Sequence, residues 1–185
     1  MKERLRERLM LRAKARIESD GLTPAAVLLL VFERDGRPYV VVTKRTDEVE
    51  HHKGQISFPG GARQPEDATL VATALRETSE EIGVREWDVE IVGELDDFAT
   101  ISQFLVSPFV GVIPHPYRFR PQETEVAEVI EVPLDGLSED GEEDGEKPPP
   151  IYRYGGHVIW GATARILQQF LAAVDFGEAH GRFRS

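Results

Sequence analysis

The chain of 185 residues contains no cysteine, no apolar run long enough to cross a membrane and no excess of positive charge. Without cysteine there can be neither a disulfide framework nor a thiol nucleophile, which permits a cytoplasmic location. The longest apolar run, 25–32, has the length of a β-strand. The formal net charge of −11 argues against nucleic acid as a partner, because proteins that bind the phosphate backbone need a positive surface. We therefore predict a cytoplasmic protein that binds neither nucleic acid nor membrane.

The N-terminal segment is too charged for a secretory signal and carries leucines at positions 5, 9 and 11. This pattern predicts an amphipathic helix over residues 1–22, ending near Asp20–Gly21 and packing on a single domain that covers 23–185. Such a helix would also suit a homodimer contact. A basic helix that binds RNA or a membrane surface is the sharper alternative, but three glutamates dilute its positive charge.

The order of periodic segments predicts the fold class. Asp35–Gly36 is a hairpin signal between two β-rich runs. The predicted strands cover residues 25–34, 38–44, 89–95, 105–113 and 126–132, and the last predicted helix covers 162–174. Strands first, a helix between them and a helix at the end predict an α/β fold, in which a mixed β-sheet lies between helices on both faces. The acidic, proline-rich stretch 134–150 predicts a mobile loop, either a lid or a tolerated insertion.

The segment from Gly60 to Val84 carries the most informative pattern. Glu77, Glu80 and Glu81 stand at i, i+3 and i+4 of a predicted helix, so their side chains would project from one face. Clustered carboxylates repel one another unless a hard cation lies among them, and Mg²⁺ is the usual cation when the substrate brings phosphates. The pattern therefore predicts metal-assisted attack on a phosphate linkage.

A solvated acidic face is the ordinary explanation for such a run. Here the glutamates are embedded in a longer pattern, with glycines before and after them at fixed offsets. A narrow apolar stripe lies roughly 120° away on the same helical wheel. Its members are Val71, Ala74, Leu75, Thr78 and Ile82. One face would pack while the neighbouring face collects charge, which favours a functional site.

These residues resemble the Nudix box, the signature of the Nudix hydrolases. The matching positions are Gly61, Arg76, Glu77, Glu80, Glu81, Gly83 and Val84. Asp67 stands for an early glutamate of the box, the gap from there to Arg76 is one residue longer than standard, and Thr78 replaces an apolar residue. The resemblance implies an α/β/α sandwich and glutamates that bind Mg²⁺ or Mn²⁺.

A second resemblance lies upstream, to the coenzyme A pyrophosphatase branch of the same superfamily. Residues 42–46 and 52–61 look like the extra motif of that branch, which also shares the Asp67 position and the longer gap. The branch motif implies substrate contacts from Arg45, Lys53, Gln55, Phe58, Gly60 and Gly61. Three positions differ: Val42 replaces a leucine, Thr46 replaces a serine or alanine, and Glu50 stands where a basic residue is usual.

The chemistry of diphosphate cleavage gives these side chains their predicted roles. Glu77 and Glu81, one turn apart, are the best pair to hold a metal that also touches phosphate oxygens. Glu80 is either a third metal ligand or the base that deprotonates water. Glu125, in an acidic segment with Glu123 and Glu128, is the rival base. Arg76 is expected to orient a carboxylate of the helix with its rigid guanidinium.

A histidine metal site at His51–His52 is rejected, because adjacent histidines point apart on an extended chain and no third ligand follows at the required spacing. The sequence thus predicts a Mg²⁺- or Mn²⁺-dependent diphosphatase whose partner is a small-molecule diphosphate. The resemblance implies coenzyme A or an acyl derivative as that substrate. Two alternatives stay open: a Nudix diphosphatase for ADP-ribose, a nucleoside triphosphate or a dinucleotide, and a non-catalytic Nudix-like binding domain.

Overall fold

The computed structural model of the protein describes residues 1–18, 21–46, 54–139 and 150–174. The helices are α1 (Lys2–Met10), α2 (Leu70–Ile82) and α3 (Gly161–Ala173). The strands are β1 (Thr23–Arg34), β2 (Arg37–Arg45), β3 (Ile56–Ser57), β4 (Gly60–Ala62), β5 (Glu90–Glu94), β6 (Phe98–Ala99), β7 (Phe104–Val112), β8 (Val126–Pro133), β9 (Ser138–Glu139), β10 (Tyr152–Tyr154) and β11 (His157–Ile159). Single 3₁₀ turns cover Glu86–Asp88 and Leu134–Gly136. None of the helices in these ranges is long and apolar enough to span a membrane.

A mixed sheet of eight strands forms the centre of the molecule, with β1 antiparallel to β2 and parallel to β7. Successive side chains of β1 enter opposite cores, because neighbouring residues of a strand point to opposite faces. Leu28 and Leu30 pack in the core that contains residues of α2, whereas Leu29 and Val31 pack in the core that contains residues of α1 and α3. The predicted mixed sheet between helices is confirmed.

Two local predictions are confirmed by the backbone. In the hairpin between β1 and β2, Asp35 and Gly36 have φ values of 53° and 76°, as a tight turn with positive φ at both central residues requires. The helix α2 begins at Thr69, whose side chain accepts a hydrogen bond from the Ala72 N–H at 3.1 Å. It ends at Gly83, which adopts the left-handed conformation with φ 69°.

The N-terminal helix is shorter than the sequence predicts. It ends at Met10, and Leu11 is 86% exposed, so the predicted helix over residues 1–22 is wrong for the described residues after Leu11. The segment after Leu11 makes hydrogen bonds and ion pairs to the connection between β5 and β6 and does not continue the helix. The Asp97 N–H donates to the Ala15 carbonyl at 3.1 Å, and Lys14 Nζ lies 2.9 Å from Asp97 Oδ1. These tertiary bonds use backbone groups that a helix would need.

The predicted loop at 134–150 is also wrong for the residues that the structure describes. Leu134 and Leu137 are 2% and 4% exposed, so their side chains belong to the core and hold this segment against the domain. Strand β9 then pairs with β10 in a small second sheet. Residues 140–149 of the predicted loop lie outside the described residues.

Candidate active site

Two carboxylates of α2 lie against the glycine pair of β4. Glu81 is 6% exposed, and its carboxylate accepts a hydrogen bond from the Gly60 N–H. Glu77 packs against Gly61 so closely that a Cβ atom at Gly61 would lie 2.6 Å from the Glu77 carboxyl carbon. The glycine pair therefore lets the helix carboxylates approach the backbone of the strand.

Gly60 is required for a second reason. Its φ of 153° is a conformation that residues with a side chain rarely adopt. A Cβ atom there would lie 2.2 Å from the Ala26 carbonyl oxygen of the neighbouring strand. A side chain at either position would therefore clash, at Gly60 with the neighbouring strand and at Gly61 with the Glu77 carboxylate.

The electrostatics of the pair favour a bound cation. Burial is the main cause that raises the pKa of Glu81 to about 8. The charges of Glu77 and Glu125 act in the same direction, and Arg45 and the Gly60 N–H oppose them. Burial also raises the pKa of Glu77. Two carboxylates held together away from water are stable in their ionised form only when positive charge compensates them. Their oxygens are the donors that Mg²⁺ and Mn²⁺ prefer, so the pair fits such an ion.

The third glutamate of the helix lies apart from this pair. The Glu80 side chain is 59% exposed, and its Oε2 atom lies 2.9 Å from Arg76 Nη1. Within the ranges that the structure describes, no three carboxylate or imidazole groups are placed to hold a metal by themselves. A metal held by Glu77 and Glu81 would keep positions for substrate oxygens and water, as Mg²⁺ does at phosphate sites.

Arg76 is surrounded by acidic partners. Its Nε lies 2.9 Å from Asp67 Oδ1, and its Nη2 lies 2.8 Å from Glu77 Oε1. Asp67 is buried, and the hydrogen bonds from Arg76 and from the Gln64 N–H hold the pKa of Asp67 well below its usual range. The guanidinium therefore links the early acid of the box to the carboxylate of Glu77, a geometry that orients Glu77.

We expect Asp67→Asn to reduce turnover about tenfold to a hundredfold, the usual cost of losing a group that orients a metal ligand. The variant should also be less stable at neutral pH. Because the pKa of folded Asp67 is lowered, its stabilising effect is present above the ordinary pKa of 3.8 and is lost as the pH falls below it. Denaturant unfolding at several pH values should show the stability gap to the parent closing toward low pH. A gap that is constant with pH would contradict this role.

The acidic segment that contains Glu125 lies close to the carboxylates of α2. The Thr46 N–H donates to the Glu125 carbonyl at 3.0 Å, and the Gln122 N–H donates to the Glu81 carbonyl at 2.8 Å. The charge of Glu125 raises the pKa of both Glu77 and Glu81, so its carboxylate lies within electrostatic reach of both. Glu128 points elsewhere and lies 3.7 Å from His157 Nε2.

Of the basic residues from the upstream motif, Arg45 is described. Its backbone N–H donates to the Gln55 carbonyl at 3.0 Å, and its charge favours the ionised form of Glu81. The Arg45 Nε atom is buried and has no hydrogen-bond partner in the described part of the chain. An unpaired buried donor beside carboxylates is suited to an anionic substrate oxygen. Lys53, His51 and His52 lie outside the described residues.

A groove of about 680 Å³ lies between α3, β6 and the segment before β4, and is lined mainly by apolar side chains. Gln55 and Phe58 line it, as does Val27, the strand partner of Gly60. Phe98 and Ile101 also line it, although no sequence pattern predicts them there, and Ile101 is fully exposed. Trp160, Gly161, Ala162, Thr163 and Arg165 form another part of the wall.

The chain is similar in sequence to known proteins of one family. The profile of the NUDIX domain matches residues 22–153. A protein of Citrobacter koseri named uncharacterized Nudix hydrolase NudL is 36% identical over 171 residues, which cover 86% of this chain and 87% of that protein. The protein of the same name from Photorhabdus laumondii is 35% identical over 165 residues, covering 85% and 88%.

Solved structures show the same fold. A MutT/nudix family protein from Enterococcus faecalis superposes with a TM-score of 0.61 at 16% identity, covering 86% of this chain and 64% of that one. The Ap4A hydrolase of C. elegans, in a binary complex, superposes with a TM-score of 0.52 at 16% identity, covering 62% and 82%. The chain therefore belongs to the Nudix hydrolase family, whose members act on pyrophosphate bonds and generally need divalent metal ions.

Proposed function

We propose that this enzyme hydrolyses the diphosphate of coenzyme A or its acyl derivatives with Mg²⁺ or Mn²⁺, giving 3′,5′-ADP and 4′-phosphopantetheine. One observation carries the proposal. The segment that resembles the coenzyme A branch, around Gln55 and Phe58, also lines the groove, whose wall includes Val27, the strand partner of Gly60. A long groove with apolar walls and a few polar groups suits the extended pantetheine arm and an acyl chain attached to it.

The contacts of each side chain indicate its proposed role in the reaction. Glu77 and Glu81 would hold the metal, which when bound neutralises phosphate charge and makes water more acidic. Arg45 would give its unpartnered Nε–H to a phosphate oxygen, and Arg76 would keep Glu77 in position. Gln55 and Phe58 would contact the arm of the substrate, while Gly60 and Gly61 let the metal-binding carboxylates lie against the strand.

We further propose Glu125, rather than Glu80, as the base that takes the proton from the attacking water. The charge of Glu125 is a leading influence on the pKa of both Glu77 and Glu81, whereas that of Glu80 is a leading influence on the pKa of Glu77. Both glutamates are exposed, but Glu80 Oε2 is paired with Arg76 Nη1 at 2.9 Å. A carboxylate already held by an arginine is poorly placed to take a proton from the attacking water.

The specificity proposal is tested by turnover of coenzyme A beside dephospho-coenzyme A, ADP-ribose and NADH. We expect the largest kcat/KM for coenzyme A or an acyl derivative, and no turnover in chelator. Metal-dependent cleavage of ADP-ribose with no activity on coenzyme A would leave the hydrolase assignment standing and remove the proposed substrate. Glu50, which stands where the branch has a basic residue, supports that second candidate, although its position lies outside the described residues.

A separate prediction concerns the binding of an acyl chain in the groove. Ile101→Asp should raise the KM for an acyl-coenzyme A at least about tenfold and the KM for free coenzyme A by less. The reason is that a charged carboxylate would replace the apolar side chain that contacts the acyl chain. Since Ile101 is fully exposed, the substitution should not disturb folding. Leu11→Asp, at an exposed position away from the groove, is the matched control. Equal KM changes for the free and acylated substrates would contradict an acyl-binding groove.

A further inference from the structure

A second pocket of about 470 Å³ lies between the end of α2 and the segment that follows β7. Pro114 and Pro116 line it, and the ring of His115 between them stacks on Phe32 of β1 with ring centroids 4.8 Å apart. The glycine pair contacts the same strand at Val27. Five residues of strand separate these points, a distance of roughly 16 Å. The pocket shares no lining residue with the groove, and its wall meets the end of α2 at Gly83, two residues after Glu81.

The wall of this pocket is strongly basic. Three arginines line it, with a single acidic residue, Asp88. Asp88 is already neutralised, because its Oδ2 atom accepts hydrogen bonds from Arg85 Nε at 2.7 Å and from the Tyr117 hydroxyl at 2.8 Å. Neither the Arg118 nor the Arg120 guanidinium has a hydrogen bond or an ion pair among residues 1–18, 21–46, 54–139 and 150–174. Two uncompensated guanidinium groups thus share one concavity on a protein whose net charge is −11.

The backbone holds this arrangement in place. The Arg120 N–H donates to the Ile82 carbonyl at 2.8 Å, at the end of α2. Gly83 is in the left-handed conformation there, and a Cβ atom on it would lie 2.8 Å from the Arg120 Cβ. The backbone of Arg120 is therefore held in place by the fold. Less conformational entropy is then lost when its side chain binds a ligand.

We propose that the pocket formed by Arg85, Arg118 and Arg120 is a second anion site that binds a phosphate-bearing small molecule. Paired guanidinium forks recognise phosphate oxygens through charge-assisted, bidentate hydrogen bonds. The volume is in the range of small-molecule sites and would accept a nucleotide as well as inorganic pyrophosphate. The pocket needs no metal for this, in contrast to the carboxylate site.

Calorimetric titration with inorganic pyrophosphate in chelator tests the proposal. Chelator leaves the carboxylate pair without a cation, so that site repels the probe. We expect the parent protein to bind, and Arg118→Ala/Arg120→Ala to bind at least about tenfold more weakly, as the loss of two charged hydrogen-bond donors implies. Arg4→Ala/Arg8→Ala is the matched control, because it removes two exposed arginines from α1 and gives the same change of net charge.

A second readout locates the bound anion. The chain has two tryptophans, and Trp160→Phe leaves Trp87 as the remaining one. The Arg85 guanidinium lies 5.6 Å from the Trp87 ring centre, so anion binding at Arg85 should change the Trp87 emission. Adenosine 3′,5′-bisphosphate in place of pyrophosphate shows whether a nucleotide or a simple polyphosphate binds more tightly.

Absence of pyrophosphate binding to the parent protein at millimolar concentration would overturn the proposal, as would equal binding by the Arg118→Ala/Arg120→Ala variant. Turnover of the diphosphate panel with Mg²⁺ is a separate measurement. The double variant should retain turnover within about twofold, because neither arginine belongs to the carboxylate site. Failure of coenzyme A turnover in the parent would concern the proposed function alone.

Discussion

Glu81→Gln is expected to reduce metal-dependent turnover at least about a hundredfold while the protein stays folded. The substitution keeps the shape of the side chain and removes the negative charge from the more buried member of the carboxylate pair. Steady-state kinetics with Mg²⁺ and with Mn²⁺ measure the loss. Glu86→Gln is the matched control, because it removes the same charge at an exposed position of the 3₁₀ turn after α2.

The same substitution should stabilise the metal-free protein at alkaline pH. Folding raises the pKa of Glu81 from an ordinary value of 4.5 to about 8, so between these values the folded state binds more protons than the unfolded state. The free energy of unfolding of the parent therefore falls as the pH rises through this window, and the full penalty is present above it. Glutamine has no such penalty.

We expect metal-free Glu81→Gln to exceed the parent in free energy of unfolding by about 2–4 kcal/mol above pH 8, and by little near pH 4. Denaturant unfolding in chelator, repeated across this range, gives the difference directly. Added Mn²⁺ should stabilise the parent and not the variant. Near-normal turnover, or a variant that is less stable than the parent at every pH, would remove Glu81 from the metal site.

Glu125→Gln is expected to lower kcat about 10²- to 10⁴-fold with little change in KM, which is the usual contribution of a general base. Mn²⁺ binding should persist, because Glu77 and Glu81 are untouched. Glu128→Gln is the matched control in the neighbouring strand, where the carboxylate lies near His157 and away from the pair. The expected order of kcat losses is therefore Glu125 far above Glu80.

The pH profile separates a base from a structural role. Loss of a base should remove the acidic limb of the kcat profile, whereas a group that merely shapes the loop should leave that limb in place. A kcat loss at Glu80→Gln larger than the loss at Glu125→Gln would assign the proton transfer to the helix residue.

The parts of the fold that the sequence predicts well are those set by local chemistry. Helix α2 ends at Gly83 because a left-handed residue is needed there, and Asp35–Gly36 makes the tight turn for the same kind of reason. The glycine pair before α2 could likewise be recognised from its spacing. Its physical reason, the close approach of Glu77 to Gly61, became visible only with the strand and the helix in place.

Tertiary contacts decide the features that the sequence predicts poorly. The charged segment after Met10 has a helical composition, yet its lysine and arginine side chains pair with acids near β5 and β6. Leu134 and Leu137 lie next to an acidic stretch that reads as a loop, but both are core residues. A local sequence pattern cannot predict which distant acidic residue such a segment will pair with, or which part of the core it will pack in.

The active site shows the same division. The spacing of Glu77, Glu80 and Glu81 puts them on one helix face, but it cannot tell that Glu81 is buried and Glu80 exposed. The groove joins segments near residues 55, 100 and 160, which are remote in the sequence. Its apolar wall therefore had to come from the folded structure.

Calorimetric titration of the metal-free protein with Mn²⁺ at pH 7, in two buffers of different ionisation enthalpy, tests the central claim most directly. Because the pKa of Glu81 is about 8 without metal, binding at pH 7 should expel its proton and release about one proton per ion. Glu81→Gln should lose this release together with most of the affinity. Binding of Mn²⁺ to the parent without proton release, or the same release from Glu81→Gln, would contradict a metal site built on Glu77 and Glu81.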